Sequence, residues 1–333
     1  MAVYGGIFTP LWSEGVLREV FKKKGKPTKI SVRRTDFICN KPSVQEVNFS
    51  LQSPYRSNSS SRKPPTMSAN AQKYTSKLAN RKIVIFGGTS GIGFCVAEAS
   101  LEHGAYVTIS SSNPTRLSNA LNRLRSSYPD VPAEKLNGYT CDIADSDNLE
   151  ANLDALLSKV TAGGGKKIDH IAFTAGDALE FPTIANATPA AVKKLGGVRF
   201  IGPIMIAKLI PKYMNLTPAS SFTITGGANT HKPAPGWSIP AGWGGALEGL
   251  MRGLAVDLKP LRVNMVSPGM VKTELINNFS PEMLDMVMKN VATQTTVGVI
   301  GKPEDTAEAY LYVMKDQFVT AAVIDTNGGR FLA

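Results

Sequence analysis

The sequence contains little cysteine and little histidine. Its 333 residues include three cysteines, which are scattered without the spacing of metal ligands: Cys39, Cys95 and Cys141. Such an odd, scattered set argues against a disulfide scaffold and is typical of a reducing compartment. The histidines are too few and too dispersed for a histidine-rich metal site: His103, His170 and His231. We therefore expect no metal centre.

Long hydrophobic runs are missing as well. No apolar stretch reaches the roughly 18–20 residues that a helix needs to cross a bilayer, so the sequence predicts a soluble protein that does not enter a membrane. Acidic residues are scarce only in residues 1–66, which contain 12 Lys and Arg but 4 Asp and Glu. The rest of the chain contains 25 Lys and Arg and 22 Asp and Glu. The net charge of +11 thus comes mainly from residues 1–66, which argues against a nucleic-acid-binding surface on the folded body.

Residues 1–72 show no sustained hydrophobic periodicity. They include a basic run at 22–26 and a polar stretch at 57–65. This composition predicts a disordered basic extension, and we expect residues 1–66 to be dispensable for folding. A transit peptide is an alternative, although four acidic residues are more than such peptides usually carry; a natural start at Met67 is another. We expect a cytoplasmic protein, or an organellar one if the segment is a transit peptide.

Between residues 73 and 333, strand-like apolar segments alternate with helical ones. This order predicts one domain, a three-layer doubly wound α/β fold with a mainly seven-stranded parallel sheet. The predicted strands are 82–86, 105–110, 137–141, 169–174, 220–226, 261–266 and 321–325. The predicted helices are 92–103, 115–126, 147–160, 189–213, 240–258, 281–290 and 304–315.

A glycine-rich turn follows the first predicted strand. Residues 83–93 read Ile-Val-Ile-Phe-Gly-Gly-Thr-Ser-Gly-Ile-Gly, a pattern typical of dinucleotide-binding sites. Gly87 permits the tight turn, Gly91 lets the backbone approach the pyrophosphate, and Gly93 lets helix and strand pack closely. Backbone N–H groups at the helix start then bind the phosphates. The other residues predicted to contact the cofactor here are Thr89, Ser90 and Ile92.

Several motifs, in order, resemble the short-chain dehydrogenase/reductase family over about residues 80–333. The family's T-G-x-x-x-G-x-G turn is present with Phe86 in the threonine position. Cys141-Asp142-Ile143 resembles the segment whose aspartate contacts the adenine. Thr174-Ala175-Gly176 resembles the second half of N-N-A-G. The resemblance implies a Rossmann fold, a nicotinamide cofactor and a small-molecule substrate.

The resemblance continues into the last third of the chain. Residues 262–269, Arg-Val-Asn-Met-Val-Ser-Pro-Gly, are similar to the family's R-V-N-x-V-x-P-G. In the family this loop covers the nicotinamide, which implies four further cofactor contacts: Pro268, Gly269, Val271 and Thr273. Residues 327–329, Asn-Gly-Gly, resemble the usual D-G-G. A doubly wound fold without a dinucleotide is the alternative, and the number of motifs found in order argues against it.

The end of the second predicted strand favours NADP(H) over NAD(H). An acidic residue about 20 positions after the first glycine would bind the ribose 2′-hydroxyl, and none is present. Ser111, Ser112, Asn113 and Arg116 instead offer donors to a 2′-phosphate, beside a helix that starts near Pro114. Alternatively, the two serines only cap that helix.

The family's catalytic residues are missing. The family reduces carbonyls with a Tyr acid and a Lys four residues later, assisted by a Ser and an Asn. Similarity to the family puts Gly244 at the Lys, Pro240 at the Tyr, Gly227 at the Ser and Arg199 at the Asn. None of the nine tyrosines has a lysine four residues later, so the absence does not depend on alignment. General acid catalysis contributes about 100- to 10,000-fold, so we expect poor reduction of ordinary ketones.

Three residues near the missing tetrad are candidates for a replacement role. Arg199 is always charged and would bind an anionic or carbonyl oxygen; alternatively it is a partly solvated helix residue. Trp237 would form a wall of the pocket and stack on a flat substrate, or would only pack its loop. His231 would titrate near neutrality, or is a lone exposed loop histidine. Thr225 and Thr230 are further hydroxyl candidates.

These observations support an atypical NADP(H)-dependent reductase. The lost tetrad resembles a divergent subgroup that includes fungal reductases of specialised metabolism, which implies reduction of an imine, iminium or carbonyl, or a guided cyclisation. One alternative is ordinary carbonyl reduction with water or His231 as the acid. The other is a catalytically inactive NADP(H)-binding regulatory or scaffold module. We also expect a homodimer or homotetramer, because the family associates through the helices at 189–213 and 240–258. The helix at 240–258 has an apolar stripe that could form this interface or could lie wholly against the sheet. Five residues make up the stripe: Ala246, Leu247, Leu250, Met251 and Leu254.

Overall fold

Seven parallel strands form one sheet in the order β3-β2-β1-β4-β5-β6-β7. The structure, a computed structural model, describes residues 72–176, 181–274 and 288–333. The strands are β1 (Lys82–Phe86), β2 (Tyr106–Ser111), β3 (Leu136–Thr140), β4 (His170–Phe173), β5 (Ser221–Thr225), β6 (Arg262–Pro268) and β7 (Val323–Thr326). The predicted doubly wound parallel sheet is confirmed, and each predicted strand is found within two residues at either end.

The apolar run of β1 explains why it is an interior strand of the sheet. Alternate residues of a strand point to opposite faces, so an unbroken apolar strand is buried on both sides. Val84 and Phe86 join one hydrophobic cluster and Ile83 and Ile85 the other. The sheet therefore needs a helical layer on each face.

Helices supply those two layers: the described part of the chain has seven named α-helices, and six of them pack on the sheet. The seven are α1 (Gly91–Glu102), α2 (Pro114–Ser127), α3 (Leu149–Thr161), α4 (Pro189–Gly196), α5 (Gly202–Tyr213), α6 (Ser238–Asp257) and α7 (Pro303–Lys315). Apolar residues of α3, α5 and α6 pack on one face, and those of α1, α2 and α7 on the other. Of the helix expected at 281–290, residues 281–287 lie outside the described residues, and 288–293 are helical.

The long helix predicted at 189–213 is interrupted by a π-helical turn. Gly197–Ile201 adopts this turn between α4 and α5. Close packing accounts for two of the glycines that border it: a Cβ on Gly196 would lie 2.6 Å from the Trp243 ring, and one on Gly202 would lie 2.9 Å from Ile143. Turns of the π type are frequent at functional sites. Arg199 lies on this turn.

The apolar stripe of α6 faces its own sheet rather than a neighbouring molecule. Leu247 and Met251 are buried, and Leu250 and Leu254 pack against the same core cluster. Ala246 alone of the five is exposed. The stripe is therefore used inside the domain and does not itself argue for self-association.

The strand order reverses direction between β1 and β4, and this reversal locates the site. In open α/β sheets ligands bind beyond the carboxyl ends of the strands at such a switch point. The glycine-rich turn follows β1 and the Thr174–Gly176 segment follows β4.

Residues 1–71, for which a disordered extension was predicted, lie outside the described residues. Among the helices described, none is long and apolar enough to cross a membrane.

Candidate active site

The glycine-rich turn is packed too tightly for any side chain at two positions. Gly87 has φ +83°, and a Cβ there would stand 2.7 Å from the backbone nitrogen of Ala175. A Cβ on Gly93 would overlap the carbonyl oxygen of Gly87 and the hydroxyl of Thr174. These contacts match the roles expected for the first and third glycines of a dinucleotide turn, a tight bend and close helix–strand packing.

The segment after β4 is bonded directly to this turn. The backbone N–H and the hydroxyl of Thr174 both donate to the carbonyl oxygen of Phe86, each at 2.8 Å. The hydroxyl bond accounts for a threonine at this position. Ala175 and Gly176 continue along the turn, so the structure brings the two predicted cofactor segments together.

The loop after β6 reaches the same turn from the other side. Gly269 is held against Asn327, because a Cβ on it would lie 2.9 Å from the Cα of that residue. Val271 forms a parallel bridge with Gly301. The Cγ2 atom of Thr273 lies 2.9 Å from where a Cβ of Gly91 would stand. Of the predicted loop residues, Thr273 therefore adjoins the phosphate turn, while Gly269 and Val271 hold the loop against the C-terminal part of the chain.

The start of α2 is capped by Asn113 and not by a serine. Its side-chain oxygen accepts a hydrogen bond from the backbone N–H of Arg116 at 2.9 Å, and Pro114 occupies the first helical turn. The alternative that Ser111 and Ser112 cap the helix is therefore wrong: Ser111 Oγ accepts from the N–H of Asn113 at 3.2 Å, and Ser112 makes no cap. Ser112, Asn113 and Arg116 are exposed beside this helix start.

A cavity of about 330 Å³ lies at the carboxyl ends of β2 and β3. Ser112 and Asp142, both predicted cofactor residues, line it together with Asn152 and Lys159. Asp142 Oδ1 accepts from the N–H of Ala144 at 2.9 Å, and Asn152 donates to the Asp142 carbonyl oxygen at 3.1 Å. These bonds fix the turn after β3 and hold the aspartate beside the cavity.

Arg199 lies against the end of β4. A Cβ on Gly176 would overlap the Arg199 guanidinium, so the guanidinium takes the place that a side chain at 176 would fill. The π turn positions this arginine, and the absence of a side chain on Gly176 admits it. The charged group thus adjoins a segment predicted to hold the cofactor.

Trp237 lies at the entrance to α6, where it is the N-cap residue. Its ring meets Phe181 edge to face, with centroids 4.8 Å apart, an arrangement that aromatic pairs prefer. Gly236 has φ +81° and turns the chain just before the tryptophan. Phe181 was not singled out from the sequence; an aromatic residue soon after β4 was the available signal.

Comparison with known proteins shows which family this architecture belongs to. The chain matches the family description "SDR-like rossmann domain" over residues 74–333, most of its length. The chain belongs to the short-chain dehydrogenase/reductase family. It is an oxidoreductase family, and membership implies a nicotinamide cofactor.

Fungal members of the family are similar over nearly their whole length. The short-chain dehydrogenase/reductase malC of Malbranchea aurantiaca is 46% identical over 255 residues, 77% of this chain and 96% of that protein. A structure described as the MalC Reductase/Diels-Alderase superposes with a TM-score of 0.74 at 45% identity, covering 78% of this chain and all of that one. The short-chain dehydrogenase/reductase fsr5 of Gibberella fujikuroi is 40% identical over 268 residues, 80% of this chain and 100% of that protein.

At Gly244, but not at Gly227, a neighbouring side chain uses the space that a tetrad side chain would need. A Cβ on Gly244, which the sequence resemblance puts at the family's Lys position, would overlap the hydroxyl of Thr230. Pro240 lies in the first turn of α6. The Thr225 hydroxyl lies 2.6 Å from the Phe173 carbonyl oxygen and 2.5 Å from the Tyr310 hydroxyl. We therefore assign Thr225 and Thr230 to packing.

His231 is an exposed loop residue, as the alternative had it, but it is not alone. Its Nε2 lies 2.6 Å from Oε1 of Glu248, a carboxylate with 8% of its side chain exposed, while the ring itself is half exposed. Its ring also meets Phe331. A cavity of about 400 Å³ is lined by His231, Lys232, Asp325 and Phe331, and not by Arg199 or Trp237. The contacts of His231 therefore lie with α6 and the C-terminal residues.

Other titratable groups of the described core are held neutral by burial. Burial, with the charges of Arg262 and Arg81, lowers the pKa of His170 to about 3. Burial raises the pKa of the Cys95 thiol to about 12 and that of Cys141 to about 11. It also raises the pKa of Tyr310. None of these four is suited to proton transfer near neutrality, and the described residues contain no cluster able to hold a metal ion.

Proposed function

We propose that this protein is an NADP(H)-dependent reductase that acts on an imine, iminium or carbonyl group of a specialised metabolite. The observation that carries the proposal is the position of Arg199: a permanent cation lies against Gly176, beside an intact dinucleotide turn. The tetrad positions meanwhile hold residues that cannot donate a proton. The site is thus equipped to bind and orient, and lacks the family's proton donor.

The cofactor preference is argued from the helix start after β2. No acidic side chain ends this strand, so nothing there would pair with a ribose 2′-hydroxyl or repel a 2′-phosphate. The exposed residues Ser112, Asn113 and Arg116 would hold the phosphate, aided by N–H groups of the first turn of α2. The glycines at 87, 91 and 93 would hold the pyrophosphate.

An iminium substrate explains how turnover proceeds without the missing acid. When bound, the reduced cofactor supplies a hydride. Hydride addition to the carbon of C=N⁺ would place the π electrons on nitrogen and give a neutral amine, with no proton required. A ketone would instead leave an alkoxide that must be protonated, which is the task of the family's tyrosine.

Trp237 and Arg199 would orient such a substrate. Stacking or cation–π contact with an indole contributes about 0.5–2 kcal/mol, and Phe181 would hold the indole in place by its edge contact. The Arg199 guanidinium would bind a carbonyl oxygen of the substrate away from the cationic carbon, because it would repel the cation itself. Orientation of this kind supplies several kcal/mol toward the barrier.

A guided cyclisation in the same pocket is the second candidate. It is favoured by the 45% identity to a protein described as a reductase and Diels-Alderase. A cycloaddition needs neither a hydride nor a proton donor at the site. Binding that holds the two reacting parts of one molecule in contact would promote it.

The proposed function is tested by following NADPH oxidation with cyclic imines and with matched ketones. We expect turnover of imines and little of ketones. Arg199→Ala and Trp237→Ala should lower turnover while leaving NADPH affinity nearly unchanged, and Arg125→Ala, in the last turn of α2, is the control. Full activity in both variants contradicts the proposal. Tight NADPH binding with no turnover of either substrate class favours the inactive module or the guided cyclisation instead of the reductase.

We also propose that the protein forms homodimers or homotetramers. With the apolar stripe of α6 facing its own sheet, the proposal rests on family membership. Light scattering at micromolar concentration tests it, and a monomeric mass contradicts it.

A further inference from the structure

A carboxylate from the distant loop after β6 binds the phosphate turn. The backbone N–H of Gly91, the first residue of α1, donates to Oε2 of Glu274 at 2.9 Å. The helix has no acidic residue in its first turn, and Ser90 makes no side-chain cap. Glu274 is therefore the anion at this helix N-terminus, where unpaired N–H groups and the helix dipole favour negative charge.

We propose that Glu274 is an intramolecular substitute for the cofactor pyrophosphate, an autoinhibitory contact that NADP(H) displaces as it binds. The inference rests on the proposed function, because it concerns the same turn. The second glycine of such a turn is the residue that lets the pyrophosphate approach the backbone. A carboxylate bound to the Gly91 N–H occupies a hydrogen-bond donor that the pyrophosphate would otherwise use. Its negative charge also repels the phosphates.

The rest of the loop brings the carboxylate to the turn. Lys272 N–H donates to the Gly301 carbonyl oxygen at 3.0 Å, and Gly301 N–H donates to that of Met270 at 3.1 Å. From this anchored pair the chain runs two residues to Glu274, with the Thr273 methyl against Gly91. Any residue but glycine at 91 would meet that methyl, so the close approach depends on both partners.

The contact is also suited to be displaced. Glu274 is exposed, so its charge is well screened and the bond to Gly91 costs little to break. A cofactor held by the rest of the site would gain the freed N–H. The contact therefore lowers affinity without blocking the site.

The test compares Glu274→Gln and Glu274→Ala with the wild-type protein in binding titrations. Glu304→Gln is the matched control: Glu304 is another exposed acid whose charge, like that of Glu274, acts on Cys95, and it makes no bond to the turn. NADPH is one ligand. The other is adenosine 2′-monophosphate, which has the 2′-phosphate but no pyrophosphate.

We expect both Glu274 variants to bind NADPH roughly two- to fivefold more tightly, the size of a charge effect at a helix terminus. Their affinity for adenosine 2′-monophosphate should not change, and Glu304→Gln should change neither affinity. Equal or weaker NADPH binding by folded Glu274 variants overturns the inference, as does an equal gain for both ligands.

Hydrogen exchange in the cofactor-free protein gives an independent readout. The Gly91 amide should exchange faster in Glu274→Ala than in the wild-type protein, and an unchanged rate overturns the contact. If neither the wild-type protein nor any variant binds NADPH, the proposed function fails and the inference fails with it. If all bind NADPH equally, only the inference about Glu274 fails.

Discussion

The Arg199 guanidinium lies so close to Gly176 that a Cβ on residue 176 would stand 2.5 Å from Nη1. One residue comes from a π turn and the other from the loop after β4, so the contact joins the helical layer to the cofactor edge of the sheet. Gly176 thus has two tasks: it continues the cofactor segment, and it makes room for a charge.

Gly176→Ala is expected to act by displacing the arginine. The added methyl would overlap the guanidinium, and misplacement of a substrate-binding group by about 1 Å can cost as much as 100-fold in rate. We expect kcat/KM for a cyclic imine to fall about ten- to hundredfold. Because the two residues act through one contact, Gly176→Ala combined with Arg199→Ala should be no worse than Arg199→Ala alone. Effects that simply add would show that Gly176 acts independently.

Ser112→Asp is expected to weaken NADPH binding without weakening NADH binding. Two unit charges 4 Å apart in water repel by about 1 kcal/mol, and a phosphate carries nearly two charges, so the loss should be about five- to thirtyfold. Ser118→Asp, exposed on the next turn of α2, is the control and should have little effect. Calorimetric titration measures both affinities. An equal loss for NADPH and NADH would contradict the assignment of the 2′-phosphate site.

Two adjacent glycines of α6 are expected to respond to alanine in opposite directions. Gly244→Ala would push against the Thr230 hydroxyl, and overpacking of this kind costs about 1–3 kcal/mol. Gly245 is exposed with nothing near its Cβ position, so Gly245→Ala should raise the free energy of unfolding by up to about 1 kcal/mol. Urea denaturation measures both. Thr230→Ala should reduce the cost of Gly244→Ala, and failure to do so would place the strain elsewhere.

His170 is expected to make the domain sensitive to acid. Its pKa is lowered to about 3 in the folded protein, mainly by burial, against about 6.5 in an unfolded chain. The stability it contributes is therefore complete above pH 6.5 and is lost as the pH falls toward 3, by about 1.4 kcal/mol per pH unit.

The acid sensitivity is tested with His170→Gln, which keeps a polar group near the Ser221 hydroxyl that lies 2.9 Å from Nδ1. Between pH 7.5 and 5.5 the wild-type free energy of unfolding should fall by about 1.4 kcal/mol more than that of the variant. Parallel curves would mean that His170 does not carry the effect.

The features that could be predicted from the sequence are local. Unbroken apolar runs such as that of β1 indicate strands buried on both faces, and the glycine spacing after β1 indicates the phosphate turn. Asn113 could also have been recognised as the cap, because asparagine is a preferred cap and stands directly before Pro114.

The features that could not be predicted join residues far apart in the chain. Glu274 meets Gly91 across 183 positions, and no local pattern specifies that pairing. The same holds for Arg199 on Gly176 and for His231 with Glu248, because each depends on how a loop crosses a helix. The α6 stripe shows the converse: its periodicity was evident, but the surface it packs against was not.

Because of the π turn, the direction in which Arg199 points depends on the number of residues in Gly197–Ile201 as well as on the presence of the arginine. Each residue of a helix rotates the chain by about 100°, so removing one residue from Gly197–Ile201 to restore a regular helix would turn Arg199 away from Gly176. The arginine would remain in the sequence, yet its charge would face another direction. Loss of the binding group in a related chain can therefore arise from a one-codon deletion that leaves every functional residue in place.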